Sequence, residues 1–253
     1  MKWIIRIIIV LVLLIGAALW YGWSQLGNLV KYGIEQGTPP IVQTAVTVDQ
    51  VLLSPMSGSG VIEGFAIGNP TGYSALPAVR LGRAELALDT GSVNRDKIVI
   101  KYIRITAPEF NLEAGLGGTN LKQIAKNAQS YVAQQDKGAP TPATPAASSP
   151  PKRAVKLQVN EFLITGAKLS ASAAGLLPGV DAKATLPDIR LVNLGTGVDG
   201  ITPAELIAEV LNQISTEAIK ASAGGTLKNL LQGGEVKLNT GALEDGMKKL
   251  FGK

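Results

Sequence analysis

The chain of 253 residues contains no cysteine and no histidine. The first absence excludes disulfide scaffolds, thiolate nucleophiles and cysteine-held metals. The second removes the side chain that most often serves as a general base near neutral pH, and with it any Ser-His-Asp triad. A complete lack of thiols also suits an oxidising compartment. Aromatic residues are scarce at 5%, so a core must come from Ile, Leu, Val and Ala. The 24 basic and 19 acidic residues leave a charge of only +5. The Lys and Arg residues are scattered, whereas nucleic-acid recognition gathers them on one face between aromatics; no nucleic-acid partner is expected. Hydrophobic residues still make up 46%, too many for a disordered chain.

The only long apolar run is N-terminal. Lys2 and Arg6 precede it, and no charge occurs from Ile7 to Val30. About 20 apolar residues in a helix span a bilayer, so the run is long enough. Trp3 lies at one end and Trp20, Tyr21 and Trp23 at the other, the places where amphipathic rings settle among headgroups. Cations tend to stay on the cytoplasmic side, which would put Lys2 and Arg6 inside and the body outside. A cleaved signal peptide is the rival reading, with Gly16 and Ala18 small enough for a cleavage site. The stretch Leu19-Trp-Tyr-Gly-Trp23 is a poor start for a mature protein and a good anchor rim. The spacing predicts that the helix continues through Leu26, Leu29, Val30 and Ile34 until Thr38-Pro39-Pro40 stops it. Its last turns should pack on the body.

The body divides at a spacer, residues 137–151, dominated by Pro, Ala, Ser and Thr. Such residues cannot fill a core. The expected organisation is an anchor over 1–37, a β-rich unit over 38–136 closed by a helix, the spacer, and a second β unit over 152–253 ending in an amphipathic helix. In the first unit, strands are expected around Val46–Val51, Val61–Ile67, Val79–Leu88 and Ile98–Ile105, and near Phe110 and Leu112, because apolar residues alternate at period 2. Asn69-Pro70-Thr71-Gly72 marks a turn. In the Ile98 strand the phase slips between Ile100 and Ile103, which predicts a bulge or bend. Asn120 with Gln123 suggests a helix cap, followed by Leu121, Ile124, Ala125, Ala128 and Val132 on one face. In the second unit, Leu157–Leu169 can be laid on Ile98–Phe110: Ile100 meets Val159, Ile103 meets Phe162, Ile105 meets Ile164, Thr106 meets Thr165 and Phe110 meets Leu169. That match predicts one kind of hairpin used twice. Strands follow near Val180–Leu186 and Ile189–Leu194. Thr202-Pro203-Ala-Glu205 then has the form of a capping box. It opens a helix with Leu206, Ile207, Val210, Leu211, Ile214 and Ile219 as its stripe and Gly224-Gly225 as its end.

Candidate chemistry is thin. The glycines from Gly115 to Gly118 lack the spacing of a dinucleotide or phosphate loop and read as a turn feeding a helix. The tight carboxylate groupings, Glu109 with Glu113 and Glu244 with Asp245, read as solvent-facing. There is no nucleophile elbow. Neither catalytic activity, a metal site nor a cofactor is expected. A surplus of apolar strand surface remains, and an uncovered apolar face is more often a lipid or partner site than an accident. Ile98, Ile100, Ile103, Ile105, Val159 and Phe162 are the candidate lipid-binding residues.

The run Gly58-Ser-Gly-Val-Ile-Glu-Gly-Phe-Ala-Ile-Gly-Asn-Pro-Thr-Gly-Tyr73, then Ile98–Phe110, then Gly117-Gly-Thr-Asn-Leu121, resembles the N-terminal region of AsmA-like envelope proteins. The resemblance covers roughly residues 1–135, and the Thr-Pro-Ala-Glu helix is similar to short members of that group. It implies a β-groove related to bridge-like lipid-transfer proteins and a role in phospholipid traffic or outer-membrane upkeep. This chain is too short to build a long groove alone. The expected fold is α+β: a transmembrane helix, a twisted, mainly antiparallel, groove-like sheet, and packed helices. The expected place is the inner membrane, with the N-terminus cytoplasmic and the body periplasmic. Membrane lipids and other envelope proteins are the expected partners. The function is expected to be lipid binding or transfer or, in the alternative, scaffolding of an envelope complex without lipid cargo.

Overall fold

The computed structural model describes residues 25–115, 118–136, 156–173 and 181–221. Most of the apolar run, the Pro/Ala spacer, Gly224-Gly225 and the pair Glu244 and Asp245 lie outside the described residues. Among the described residues no helix is long and apolar enough to cross a membrane. The expected anchor, residues 1–37, is described only from residue 25 onward.

Helix α1 covers residues 25–37. Thr38-Pro39-Pro40 ends it but starts one further turn, α2 (Pro39–Val42). Proline has no N–H to satisfy in a first turn, so the sequence that breaks one helix can open the next. Eleven strands follow: β1 (Val46–Thr47), β2 (Gln50–Ser54), β3 (Ser59–Ile67), β4 (Val79–Leu88), β5 (Lys97–Thr106), β6 (Glu109–Gly115), β7 (Gly118–Thr119), β8 (Lys156–Thr165), β9 (Lys168–Ser172), β10 (Asp181–Thr185) and β11 (Ile189–Leu194). Helix α3 (Asn120–Asp136) lies between β7 and β8, and α4 (Pro203–Ala221) follows β11.

The strands form one curled, mixed sheet. Strand β4 carries β3 along one edge, and β5 and then β6 in tandem along the other. Strand β8 lies parallel to β5 and β9 parallel to β6. Strands β11 and β10 close the far side, antiparallel to β8 and β9. The outer pairings are antiparallel as expected, but the pairing at the centre is parallel. The likeness between Ile98–Phe110 and Leu157–Leu169 has its explanation here. The segments are not two copies of a hairpin. Each is one long kinked strand, and they lie side by side in the register of the sequence match, Ile100 beside Val159 and Phe110 beside Leu169. Residues before and after the spacer thus share one sheet.

Two rows of kinks cross the strands. In the first, Gly64 (φ 62°), Ala107 (φ 48°) and Gly166 (φ 61°) are left-handed. Buried residues fall five apart across it, Ile105 to Phe110 and Ile164 to Leu169. In the second row, the β4–β5 register shifts beside Leu88, and Asn193 (φ 58°) is left-handed in β11. The same phase slip appears in β5 between Ile100 and Ile103, as expected, and in β8 between Val159 and Phe162. Each kink moves the apolar set back to the inner face, so the sheet curls while keeping one side dry.

That inner face, α3 and α4 bury one core. It joins Ile105, Phe110, Leu112, Val159, Ile164 and Leu169 with Leu121, Ile124, Leu211 and Ile214. The capping box of α4 forms: the Thr202 N–H donates to Glu205 Oε2 (2.6 Å), and the Glu205 N–H donates to Thr202 Oγ1 (3.2 Å). The Thr202 N–H holds the Glu205 carboxyl below the usual carboxylate range. The helix turns more toward its alanines than its large residues suggest. Ala204, Ala208, Leu211 and Ala218 are buried, while Leu206, Ile207 and Val210 are only partly so.

The outer face is ionic. Arg83 pairs with Glu63 and Glu85, and Glu161 pairs with Arg104 and Arg190. Hydrogen bonds from Arg104 and Arg190 lower the Glu161 pKa.

Candidate functional site

The six residues singled out as lipid-binding lie in the middle of the sheet. Val159 is fully buried, and Ile100, Ile105 and Phe162 are buried with it. Ile103 is partly buried against the same core, and Ile98 is half-buried. Strands β5 and β8 bring them together, with Ile98 beside Leu157, Ile100 beside Val159 and Ile103 beside Phe162. The core they enter contains Leu121 and Ile124 of α3 and Leu211 and Ile214 of α4. Protein side chains occupy the inner face here. The six side chains, five aliphatic and one aromatic, carry no polar group, and all but Ile98 pack in or against that core.

The polar motif residues form a second assembly at the far end of the sheet. Asn120 is fully buried. Its Nδ2 donates to Asn69 Oδ1 (2.7 Å) and to the Asn111 carbonyl (2.6 Å). Its Oδ1 accepts from the Glu113 N–H (2.9 Å) and the Leu121 N–H (2.8 Å). Glu113 receives Asn69 Nδ2 (2.7 Å), the Ser74 N–H (2.8 Å) and the Ser74 hydroxyl. The Tyr73 hydroxyl donates to the Gly118 carbonyl (3.3 Å). Burial, and then the Glu113 charge, raise the Tyr73 pKa. The loop after β3 is thereby latched to β6 and to the start of α3.

Two expectations are corrected by this latch. The α3 cap is Thr119, whose Oγ1 accepts from the Lys122 N–H (3.3 Å). Asn120 instead ties the loop to the strand, and Gln123 reaches forward to Asn127 (2.9 Å). Glu113 is half-buried and anchors the 69–74 loop, while Glu109 faces solvent. In the sequence, Asn69-Pro70-Thr71-Gly72 marks a turn but gives no partner for Asn69. The available signal is that Asn69, Glu113 and Asn120 are polar residues beside apolar ones that must be buried, so each needs partners.

Open clefts occur elsewhere among the described residues. One, of about 580 Å³, is lined by Glu109, Asn111, Lys168, Ser170, Lys183 and Thr185. Another, of about 430 Å³, lies between α3, α4 and the loop before α4, with Gln129, Val132, Glu205 and Asn212 among its walls. None of the six apolar candidates lines either cleft. No three acidic side chains converge on a point among the described residues. The fold and its covered sheet define an α+β half-barrel module. No family model, curated protein or solved structure matches the chain.

Proposed function

We propose that the chain is a short AsmA-like envelope module, held at the inner membrane by the apolar run before α1, with its body in the periplasm. It serves as a structural subunit in the lipid-traffic or outer-membrane-upkeep system that the resemblance implies, without carrying an acyl chain on its own sheet. One observation supports this choice over lipid binding within the sheet. Ile100, Ile105, Val159 and Phe162 are buried in a core shared with α3 and α4, and a filled interior has no room for a second occupant. The motif residues of the resemblance support the same reading, because Asn69 and Asn120 build the latch that ties the loop after β3 to β6.

The test is a photo-reactive benzophenylalanine in place of Phe162, irradiated in the full chain in native membranes. The expected products are cross-links within the chain, to α3 or α4. A phospholipid adduct at this position would overturn the proposal and restore lipid binding on the sheet.

A further inference from the structure

We propose that the end of the sheet from which α1 departs rests on the lipid surface, with Met56, Val93 and Val198 dipping into the boundary between headgroups and acyl chains. The inference rests on the anchored reading above and adds a docking face to it.

The direction of α1 supplies the first step. A Cβ on Gly27 would collide with the Val51 carbonyl oxygen. Lys31 Nζ donates to the Asp49 carbonyl (3.1 Å), and the Val48 N–H donates to Glu35 Oε1 (3.0 Å). As α1 advances from 27 to 35, its partners retreat from 51 to 48. The helix therefore runs antiparallel to β1 and β2, and residue 25 lies toward Ser54. Residue 25, which the uncharged sequence precedes, therefore lies at that end.

The strand registers place three chain connections at the same end. Ser54 lies opposite Ser59, Ser59 opposite Ala87, Lys97 beside Lys156, and Leu157 opposite Ile201. Here lie the β2–β3 turn, the β4–β5 connection and the loop between β11 and α4. Each presents one large apolar side chain to solvent: Met56 is 84% exposed, Val93 48% and Val198 97%. Lys97 Nζ ties two of these connections together by donating to the Gly197 carbonyl (2.9 Å). Large apolar tips on separate loops, at the end of the sheet where residue 25 lies, suit insertion into an interface better than exposure to water. Among the described residues, Arg95, Lys97 and Lys156 are balanced there by Asp89, Asp96 and Asp199, so the surface proposed is a zwitterionic one. The opposite end offers a built-in control in Leu76, which is 61% exposed on the loop between β3 and β4.

A cysteine-free chain makes the test clean. Met56→Cys, Val93→Cys, Val198→Cys and Leu76→Cys each introduce one thiol at an exposed site, for a polarity-sensitive fluorophore. The full chain is reconstituted into phosphatidylcholine vesicles with and without nitroxide-labelled lipid. The expected result is blue-shifted emission, quenched by the nitroxide, at the first three sites but not at Leu76→Cys. If the chain floats with the vesicles and all four sites give the same water-like emission, the docking face is wrong while the anchor stands. A chain that does not float with the vesicles removes the anchor, and the docking face with it.

Discussion

Strands β5–β6 and β8–β9 follow one path through the sheet, with a constant offset from Ile100 beside Val159 to Glu113 beside Ser172. Their side chains differ in duty. Where β6 has Phe110, Asn111, Leu112 and Glu113, β9 has Leu169, Ser170, Ala171 and Ser172. The first path carries larger core groups and the polar latch to the 69–74 loop and α3. The second has small residues, with β10 along its outer edge. A shared backbone path therefore does not imply a shared role. The apolar matches between the two segments reflect a common inner face, and the polar mismatches reflect different neighbours.

The largest expected effect comes from charging the shared face. Val159 is fully buried, whereas Ile100 is 9% exposed. Val159→Asp leaves an unpaired carboxylate in a filled core, at a cost of several kcal/mol, comparable to the whole stability of a small domain. Chemical denaturation followed by circular dichroism should find Val159→Asp largely unfolded and Ile100→Asp less damaged. If Val159→Asp keeps wild-type stability, water reaches the sheet face and the core is not filled.

The latch gives a smaller effect, confined to the first path. Asn120→Ala removes both donors to Asn69 and Asn111 and strands the buried N–H of Glu113. Each orphaned buried group costs about 1–3 kcal/mol, so a loss of about 3 kcal/mol is expected in urea unfolding. Ser172→Ala, at the position of Glu113 in the second path, should change stability by less than about 0.5 kcal/mol. Equal losses from the two would mean that the latch contributes nothing special.

Much of this arrangement was legible in the residues, and the reasons are local. Period-2 alternation located the strands, and the phase slip after Ile100 located a kink, because a buried face leaves its mark at each apolar position. Thr202-Pro203-Ala-Glu205 marked the start of α4, because a capping box is complete within four residues. Long-range pairing was not legible. The match of Ile98–Phe110 to Leu157–Leu169 fits both a repeated hairpin and neighbouring parallel strands, since each buries the same face. For the same reason, alternation showed that β5 and β8 have a dry side without showing that α3 and α4 cover it. The latch was missed because Asn69 and Asn120 meet only after β3, β4 and β6 have come together.

The smallest expected effect tests the kink itself, where the two paths solve one problem with different residues. Both turn left-handed between their halves, at Ala107 (φ 48°) and at Gly166 (φ 61°). The pairing runs on through the kink: the Ala107 N–H donates to the Thr165 carbonyl and the Lys168 N–H to the Pro108 carbonyl, both at 2.8 Å. A left-handed conformation disfavours any residue with a Cβ by about 1–2 kcal/mol, and glycine escapes that penalty. Space is not the issue at Gly166, because a Cβ there would lie 4.0 Å from the nearest atom, Ala107 Cα. Gly166→Ala should therefore destabilise by about 1 kcal/mol through backbone strain alone. Ala107→Gly should relieve the same strain, but it also loosens the unfolded chain, so a gain of at most about 0.5 kcal/mol is expected. The double exchange should come out near the sum of the two, unless the hydrogen bonds across the kink couple them. Thermal melts of the three variants measure this. If Gly166→Ala proves neutral, the kink does not require a glycine at this position, and the first row would owe its curl to the pairing around it rather than to these two residues.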